Sequence, residues 1–459
     1  MKLREVGMVA VLLGALTGCS SLRDLPDLDR AEQDLAQGRT DRAQSQLEAL
    51  AGFGIADAQV DLGDFYRDSD SASALEAALT WYHHAAEQGS ERAWLRLGKL
   101  YAREGTTAEQ RAVAESYLRQ SLAAGDDSAL IALINLYLEY PAEFTHRNVL
   151  ALIEQGESEG NPSASYARVL YYQLTGEFDA RMAEIESLCA PAVLAEPACM
   201  SVLARIYMQE GREADLDGLI RQARSAWETG EIDDTDLYQF AGFLASDEAP
   251  NPKVGESYRL YQLLIPGHVP ALTESSRLAL DNPYLADSEV ILGALEQART
   301  AGDLRASLTL ARIYELGRIA PADPQKALAY AEEARPRYPA ADYTIGRIYK
   351  RGYLGKPDPG KALDYLLSAA RRGYPKADFL LARLFWEGKG VAINPVYAWS
   401  FATLALEGEV AQAHELLDEM AQTTPLSVRQ EAERLSQREL ISRQQQPLDL
   451  LQQSIAGGG

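Results

Sequence analysis

The sequence predicts an all-α fold, a right-handed superhelical solenoid of stacked helix-pair repeats. Three observations carry that expectation. Segments recur every 35 or 36 residues, as from Tyr314 to Tyr349 and on to Phe385, and a period of this length marks helix-pair arrays. The composition is rich in Ala, Leu, Glu, Arg and Gln, all good helix formers. Alternating runs of Val, Ile or Thr between turn residues, which would announce strands, are scarce.

The chain opens on a short cationic stretch, Met1-Lys2-Leu3-Arg4, followed by an apolar run from Val6 to Leu16. That run is shorter than the roughly 20 residues a membrane-spanning helix needs. It has the length and flanks of a secretory leader. Leu16-Thr17-Gly18-Cys19 follows at once and resembles the bacterial lipobox, in which cleavage precedes the cysteine and the thiol carries lipid. Residues 1–18 are therefore expected to be a lipoprotein signal peptide. Cys19 is the expected lipidation site, and 19–28 a lipidated linker. Ser20 and Ser21 stand where an Asp would retain a lipoprotein at the inner membrane, so the expected location is the periplasmic face of the outer membrane. Two or more acyl chains hold a protein firmly. No later window offers 18 uncharged apolar residues for a second anchor.

Residues 29–425 are the expected solenoid. Asp29 to Gly54 reads as a first helix pair. Ala58-x₃-Leu62-Gly63-x₂-Tyr66 then leads to Ala78-x₂-Trp81-Tyr82, and Ala93-x₃-Leu97-Gly98-x₂-Tyr101 to Tyr117-Leu118. The same unit returns from Ala306, Ala341 and Ala377, each with a second helix carrying Tyr330, Tyr365 or Phe401. Small residues let two helices approach closely, while aromatics and Leu fill the gaps. One pair cannot bury its own apolar face, so pairs must stack. These runs resemble Sel1-like repeats, relatives of the tetratricopeptide repeat. At about 35 residues per unit the expectation is roughly 11 pairs, forming a curved rod on the order of 100 Å if pairs stack at about 10 Å. Between Pro141 and Leu304 the pattern is too degenerate to fix repeat boundaries. Residues 426–459 are expected to form a short helix near Val428 to Ile441 and then a disordered Gln- and Gly-rich tail.

Cys189 and Cys199 are the remaining cysteines. In an oxidising compartment their closeness points to a disulfide, the other possibility being two buried thiols. The charge is −23, from 44 basic and 67 acidic residues, which argues against nucleic acid as a partner. Gly156-Glu157-Ser158-Glu159-Gly160 matches a nucleophile-elbow pattern but follows a helical segment instead of a strand. The five histidines form no metal-ligand motif, and Gly388-x-Gly390 lacks the setting of a dinucleotide loop. No catalytic residue, metal site or cofactor is expected.

One block departs from the overall charge. From Arg335 to Lys376, ten basic residues face three acidic ones. Such blocks are usually a solvated face. The alternative is a docking patch for an acidic partner or an anionic polymer, with Arg347, Lys350, Arg351, Arg371 and Arg372 as its candidate residues.

Over nearly its whole length the chain resembles the AlgK family, outer-membrane lipoproteins of alginate secretion. The resemblance rests on the Cys19 start, the Asp61-Leu62-Gly63-Asp64-Phe65-Tyr66 and Trp81-Tyr82-His83-His84-Ala85-Ala86 helices, and the repeat from Tyr349 to Gly373. It implies a non-catalytic scaffold that helps place an outer-membrane β-barrel alginate porin and binds a periplasmic alginate-modifying protein. Contact with the polysaccharide itself stays open. The competing readings are a repeat lipoprotein that regulates cell-wall enzymes or envelope stress, and export of a different exopolysaccharide.

Overall fold

The computed structural model describes residues 26–36, 40–67, 72–105, 107–265 and 267–457. The expected leader and Cys19 lie outside the described residues, with most of the expected linker. The described residues form α-helices in eleven successive pairs, followed by two more helices. The N-terminal pairs are α1 (Leu28–Ala36) with α2 (Thr40–Gly52), α3 (Ala56–Arg67) with α4 (Ala72–Glu87), and α5 (Glu91–Glu104) with α6 (Ala108–Ala123). The central ones are α7 (Ser128–Glu139) with α8 (Val149–Glu159), α9 (Ala164–Leu174) with α10 (Met182–Ala192), and α11 (Ala198–Glu210) with α12 (Glu213–Thr229). Then come α13 (Asp234–Leu244) with α14 (Val254–Leu264), and α15 (Val269–Asp281) with α16 (Ser288–Thr300). The last are α17 (Leu304–Leu316) with α18 (Pro324–Ala334), α19 (Pro339–Arg351) with α20 (Pro359–Arg371), and α21 (Pro375–Glu387) with α22 (Pro395–Glu407). Helices α23 (Gln412–Ala421) and α24 (Leu426–Gly457) close the chain. Among the described residues there is no strand, and no helix is long and apolar enough to cross a membrane.

Local sequence explains where the helices start and stop. The second helix of each C-terminal pair opens on Asp-Pro or Asn-Pro. Asp323, Asp358 and Asn394 accept backbone hydrogen bonds from Lys326 (3.1 Å), Lys361 (3.0 Å) and Tyr397 (3.1 Å). A capping carboxylate or amide satisfies an otherwise orphaned N–H, and proline suits the first helical position. The first helices of the same pairs end on Gly317, Gly352 and Gly388, all with φ between 66 and 69°, where glycine ends a helix without steric cost. Gly408, which follows α22, is not left-handed. Its φ is −83°, and the left-handed residue is Glu409 at φ 59°. Gly408 is needed for closeness instead: a Cβ there would sit 2.4 Å from Pro375 Cβ.

Within a pair the helices approach through glycine. A Cβ on Gly98 would lie 2.6 Å from Leu118, and one on Gly346 2.8 Å from Leu366. Successive pairs then share apolar residues, so burial runs along the chain as overlapping clusters, for example Val60 to Phe144 and Val169 to Leu278. Neighbour-to-neighbour burial of this kind defines a solenoid. The first helices of successive pairs also touch, as α3 touches α5 and α17 touches α19. In the centre Cys189 and Cys199 are bonded as a disulfide, Cα atoms 5.2 Å apart, which pins α10 to α11.

The C-terminal helix differs from the expectation. It runs 32 residues to Gly457, about 48 Å at 1.5 Å per residue. The tail read as disordered is helical through Gly457, consistent with the helix propensity of its Gln and Leu residues. This helix lies on α22 and also against α4. The solenoid is therefore not an open rod with separate ends, because its last helix returns to its second pair.

Candidate interaction surface

Several arginines tie one repeat to the next. Arg92 on α5 reaches Asp61 (2.6 Å) and Asp57 (3.3 Å) on α3, and Arg96 reaches Asp64 (2.8 Å). Arg305 on α17 approaches Glu274 on α15 (3.4 Å). Burial pushes the Asp61 carboxyl above its ordinary range, and Arg92 opposes that push. A buried charge persists only when paired in this way.

The five basic residues singled out in sequence divide by position. Arg347, Lys350 and Arg351 occupy the last turn and a half of α19, whereas Arg371 and Arg372 follow from the end of α20. The two helices run antiparallel and each has 13 residues, so the two sets lie about 20 Å apart at opposite edges of the solenoid. They do not form one patch.

Two of the five are internal ties. Arg372 donates to Asp342 Oδ2 (3.0 Å) and to the carbonyls of Arg335 (2.8 Å) and Pro336 (3.1 Å). Asp342, its side chain only 1% exposed, also accepts from Arg335 (2.5 Å) and Ser368 (2.8 Å). Arg347 Nε lies 3.0 Å from Glu315 Oε1, with its guanidinium over the Tyr343 ring. The Glu315 oxygens are buried and accept no aligned hydrogen bond. Burial raises the Glu315 pKa, with Arg347, Arg351 and Arg312 opposing.

The other three are less committed. Lys350 is half-buried, and desolvation lowers its pKa while Glu387 pulls it back up. Arg351 donates to the Tyr353 hydroxyl (2.7 Å). Arg371 is exposed, 3.6 Å from Glu439 of α24. A shallow groove of about 410 Å³ lies beside it, lined by Asp364, Leu367, Ser368, Arg371 and Arg372.

The repeat tyrosines pack against a partner sixteen residues on. Tyr314 stacks on Tyr330 (5.8 Å between ring centres), Tyr349 on Tyr365 (5.8 Å), and Phe385 on Phe401 (6.0 Å). Lys326 sits over Tyr314 and Lys361 over Tyr349, an arrangement favoured by the ring quadrupole. Tyr101 stacks on Tyr117 with His83 wedged between their hydroxyls. Sequence alone showed both sets of aromatics but not that they pair. The constant offset of sixteen was the available signal.

Ser158 lies inside α8, its hydroxyl bound to the Gln155 carbonyl (2.8 Å), and Glu157 is held by Arg168 (2.7 Å). A strand–turn–helix elbow is not formed there. Among the described residues no three His, Cys, Asp or Glu side chains are grouped to hold a metal ion.

Comparison with known proteins fits this architecture. The Sel1 repeat family matches residues 56–90, 306–335, 339–374 and 375–408, which are the pairs α3–α4, α17–α18, α19–α20 and α21–α22. The AlgK tetratricopeptide repeat domain matches residues 181–264. The alginate biosynthesis protein AlgK of Pseudomonas syringae pv. tomato is 37% identical over 419 residues, covering 91% of this chain and 88% of that protein. Its counterpart in Pseudomonas aeruginosa is 36% identical over 437 residues, covering 95% and 91%.

The chain belongs to the AlgK family. Its AlgK-specific segment spans α10 to α14 and includes the disulfide, within the stretch whose boundaries the repeat pattern could not fix. The pair α5–α6, read in sequence as a repeat from Ala93, lies outside the matched Sel1 segments yet keeps the paired helices and the Tyr101–Tyr117 stack. Among solved structures, a Sel1 repeat protein from Oxalobacter formigenes is similar at 18% identity and a TM-score of 0.34, over 84% of this chain and 93% of that one.

Proposed function

We propose that this AlgK-family chain is a lipid-anchored scaffold of alginate secretion, held at the periplasmic face of the outer membrane through Cys19. The observation that carries this reading is similarity to alginate biosynthesis proteins over nine-tenths of the chain. The architecture supports it. Stacked pairs offer extended surfaces that recognise protein segments or whole domains, and holding two partners on one body raises their effective concentration for each other. The partners would be the β-barrel alginate porin and a periplasmic alginate-modifying protein. On this reading the chain places and couples them and does no chemistry itself.

The test is deletion in an alginate-producing strain, with complementation. Polymer synthesis should continue while the product is leaked or degraded instead of being exported intact. Unchanged secreted alginate would remove the export role. A Cys19→Ser chain should leave the membrane fraction and complement poorly.

A further inference from the structure

The loops that join first to second helix in α17–α18, α19–α20 and α21–α22 lie side by side along one edge of the solenoid. Their proximity is direct, since a Cβ on Gly390 would come within 2.3 Å of Pro359. This edge exposes large apolar side chains in or beside all three loops. Leu316 is 48% exposed, Tyr353 43%, Leu354 39%, Ile393 64% and Tyr397 44%. Exposed cations surround them: Arg351 and Lys356, together with Arg318, which pairs with Asp281 (3.3 Å), and Lys389, which pairs with Glu387 (2.8 Å). The nearby acids are engaged. Asp323 and Asp358 cap helices, and Glu387 is held by Arg383 and Lys389. One loop earlier, between α15 and α16, Tyr284 is again exposed, but Asp281 and Asp287 flank it. The basic, apolar stretch therefore ends there.

We propose that this edge is a membrane-docking surface whose partner is an anionic phospholipid bilayer. Contiguous exposed apolar side chains on a protein mark an interaction site. Apolar loop tips bury at the headgroup–acyl boundary, tyrosine settles at that interface, and lysine and arginine are drawn to anionic headgroups. The rest of the molecule argues for the same partner through charge. A chain carrying −23 is repelled by an anionic surface on most faces, so a basic edge sets which face approaches. The side chains stand on separate loops, one repeat apart, in a row. A row of protrusions suits a fluid, deformable layer. Docking by this edge would lay the C-terminal repeats along the membrane.

The proposal does not rest on the alginate reading and can fail while that reading stands. The test uses the full chain with Cys19→Ser, so that no acyl chain is attached. The chain is mixed with vesicles of phosphatidylglycerol and, separately, of phosphatidylcholine. Phosphatidylglycerol should slow amide exchange in loops 317–323, 352–358 and 388–394, and phosphatidylcholine should not. Leu354→Asp with Ile393→Asp should weaken sedimentation with phosphatidylglycerol at least tenfold, and Lys356→Glu should weaken it further. Phe53→Asp, at a 77% exposed site away from this edge, should leave it within twofold. Equal exchange in both lipids would overturn the proposal, as would protection centred on residues 52–55. Protection that needs an added acidic envelope protein would overturn it in favour of a protein partner. The exchange footprint of the parent decides the matter even if the double variant loses helicity.

Discussion

At the residue scale, position within the helix hairpin decides what a cation does. Arg371 and Arg372 are adjacent in sequence, yet Arg372 meets buried Asp342 while Arg371 points outward toward Glu439. Arg372→Ala should cost about 2–3 kcal/mol, because it strips a charged hydrogen-bond partner from a buried carboxylate that keeps only Arg335 and Ser368. Arg371→Ala should stay within about 0.5 kcal/mol. Denaturant midpoints of the two variants check this. Equal losses would contradict the division. Adjacency in the sequence hid this division, because Arg372 meets Asp342 thirty residues earlier, on α19, while Arg371 meets Glu439 on α24.

The Glu315–Arg347 tie gives a pH dependence with a definite sign. Burial raises the Glu315 pKa above its ordinary 4.5, so the folded chain holds that proton more tightly than the unfolded chain. Its contribution to stability then falls as pH rises through the raised value, and it is constant below the ordinary one. Arg347→Ala removes the counter-charge and lifts the folded pKa further. The variant's loss of stability should therefore be larger at about pH 8 than at about pH 5. Denaturation at both values measures it, and a loss independent of pH would show that Glu315 is not the group responsible.

At the scale of the element, glycine serves two separable purposes. In α19, Gly346 leaves no space, with Leu366 2.8 Å from a Cβ and the Ala362 carbonyl at 3.3 Å. In α16, Gly293 faces open space. Gly293→Ala should stabilise by up to about 1 kcal/mol through helix propensity. Gly346→Ala should destabilise by about 1–2 kcal/mol, since overpacking exceeds that gain. Thermal midpoints moving in the same direction would refute the distinction.

The last helix replaces a missing repeat. Asp342 is met by Arg372 from the end of α20, but the corresponding place after α22 is Gly408. Asp378 is bound instead by Arg443 of α24, at 2.8 and 3.0 Å. Burial still raises the Asp378 pKa, with Arg443 opposing. Arg443→Ala should speed amide exchange in α21 and α24 while leaving α13 unchanged, because stability in a stack passes mainly between neighbours. A uniform increase along the chain would mean that the stack unfolds as one unit.

For the whole molecule, the repeating fold was legible because the Ala, Gly and aromatic positions recur with the helix-pair period, and the Asp-Pro and Asn-Pro caps mark where second helices begin. The centre was not, because its units vary their loops. The α7–α8 connection is residues 140–148, and α7 packs directly on α9. The return of α24 to α4 was also hidden, since a contact between the two ends leaves no periodic trace. It changes the expected curved rod: the last helix lies beside the second pair and not at a separate end. On the proposed function, this stack holds alginate-export partners together at the envelope. The most direct measurement is chemical cross-linking on intact envelopes of alginate-producing cells, with partners identified by mass spectrometry. Cross-links from lysines such as Lys376 to the alginate porin and the alginate-modifying protein are the predicted result. Reproducible cross-links to cell-wall enzymes alone would contradict it.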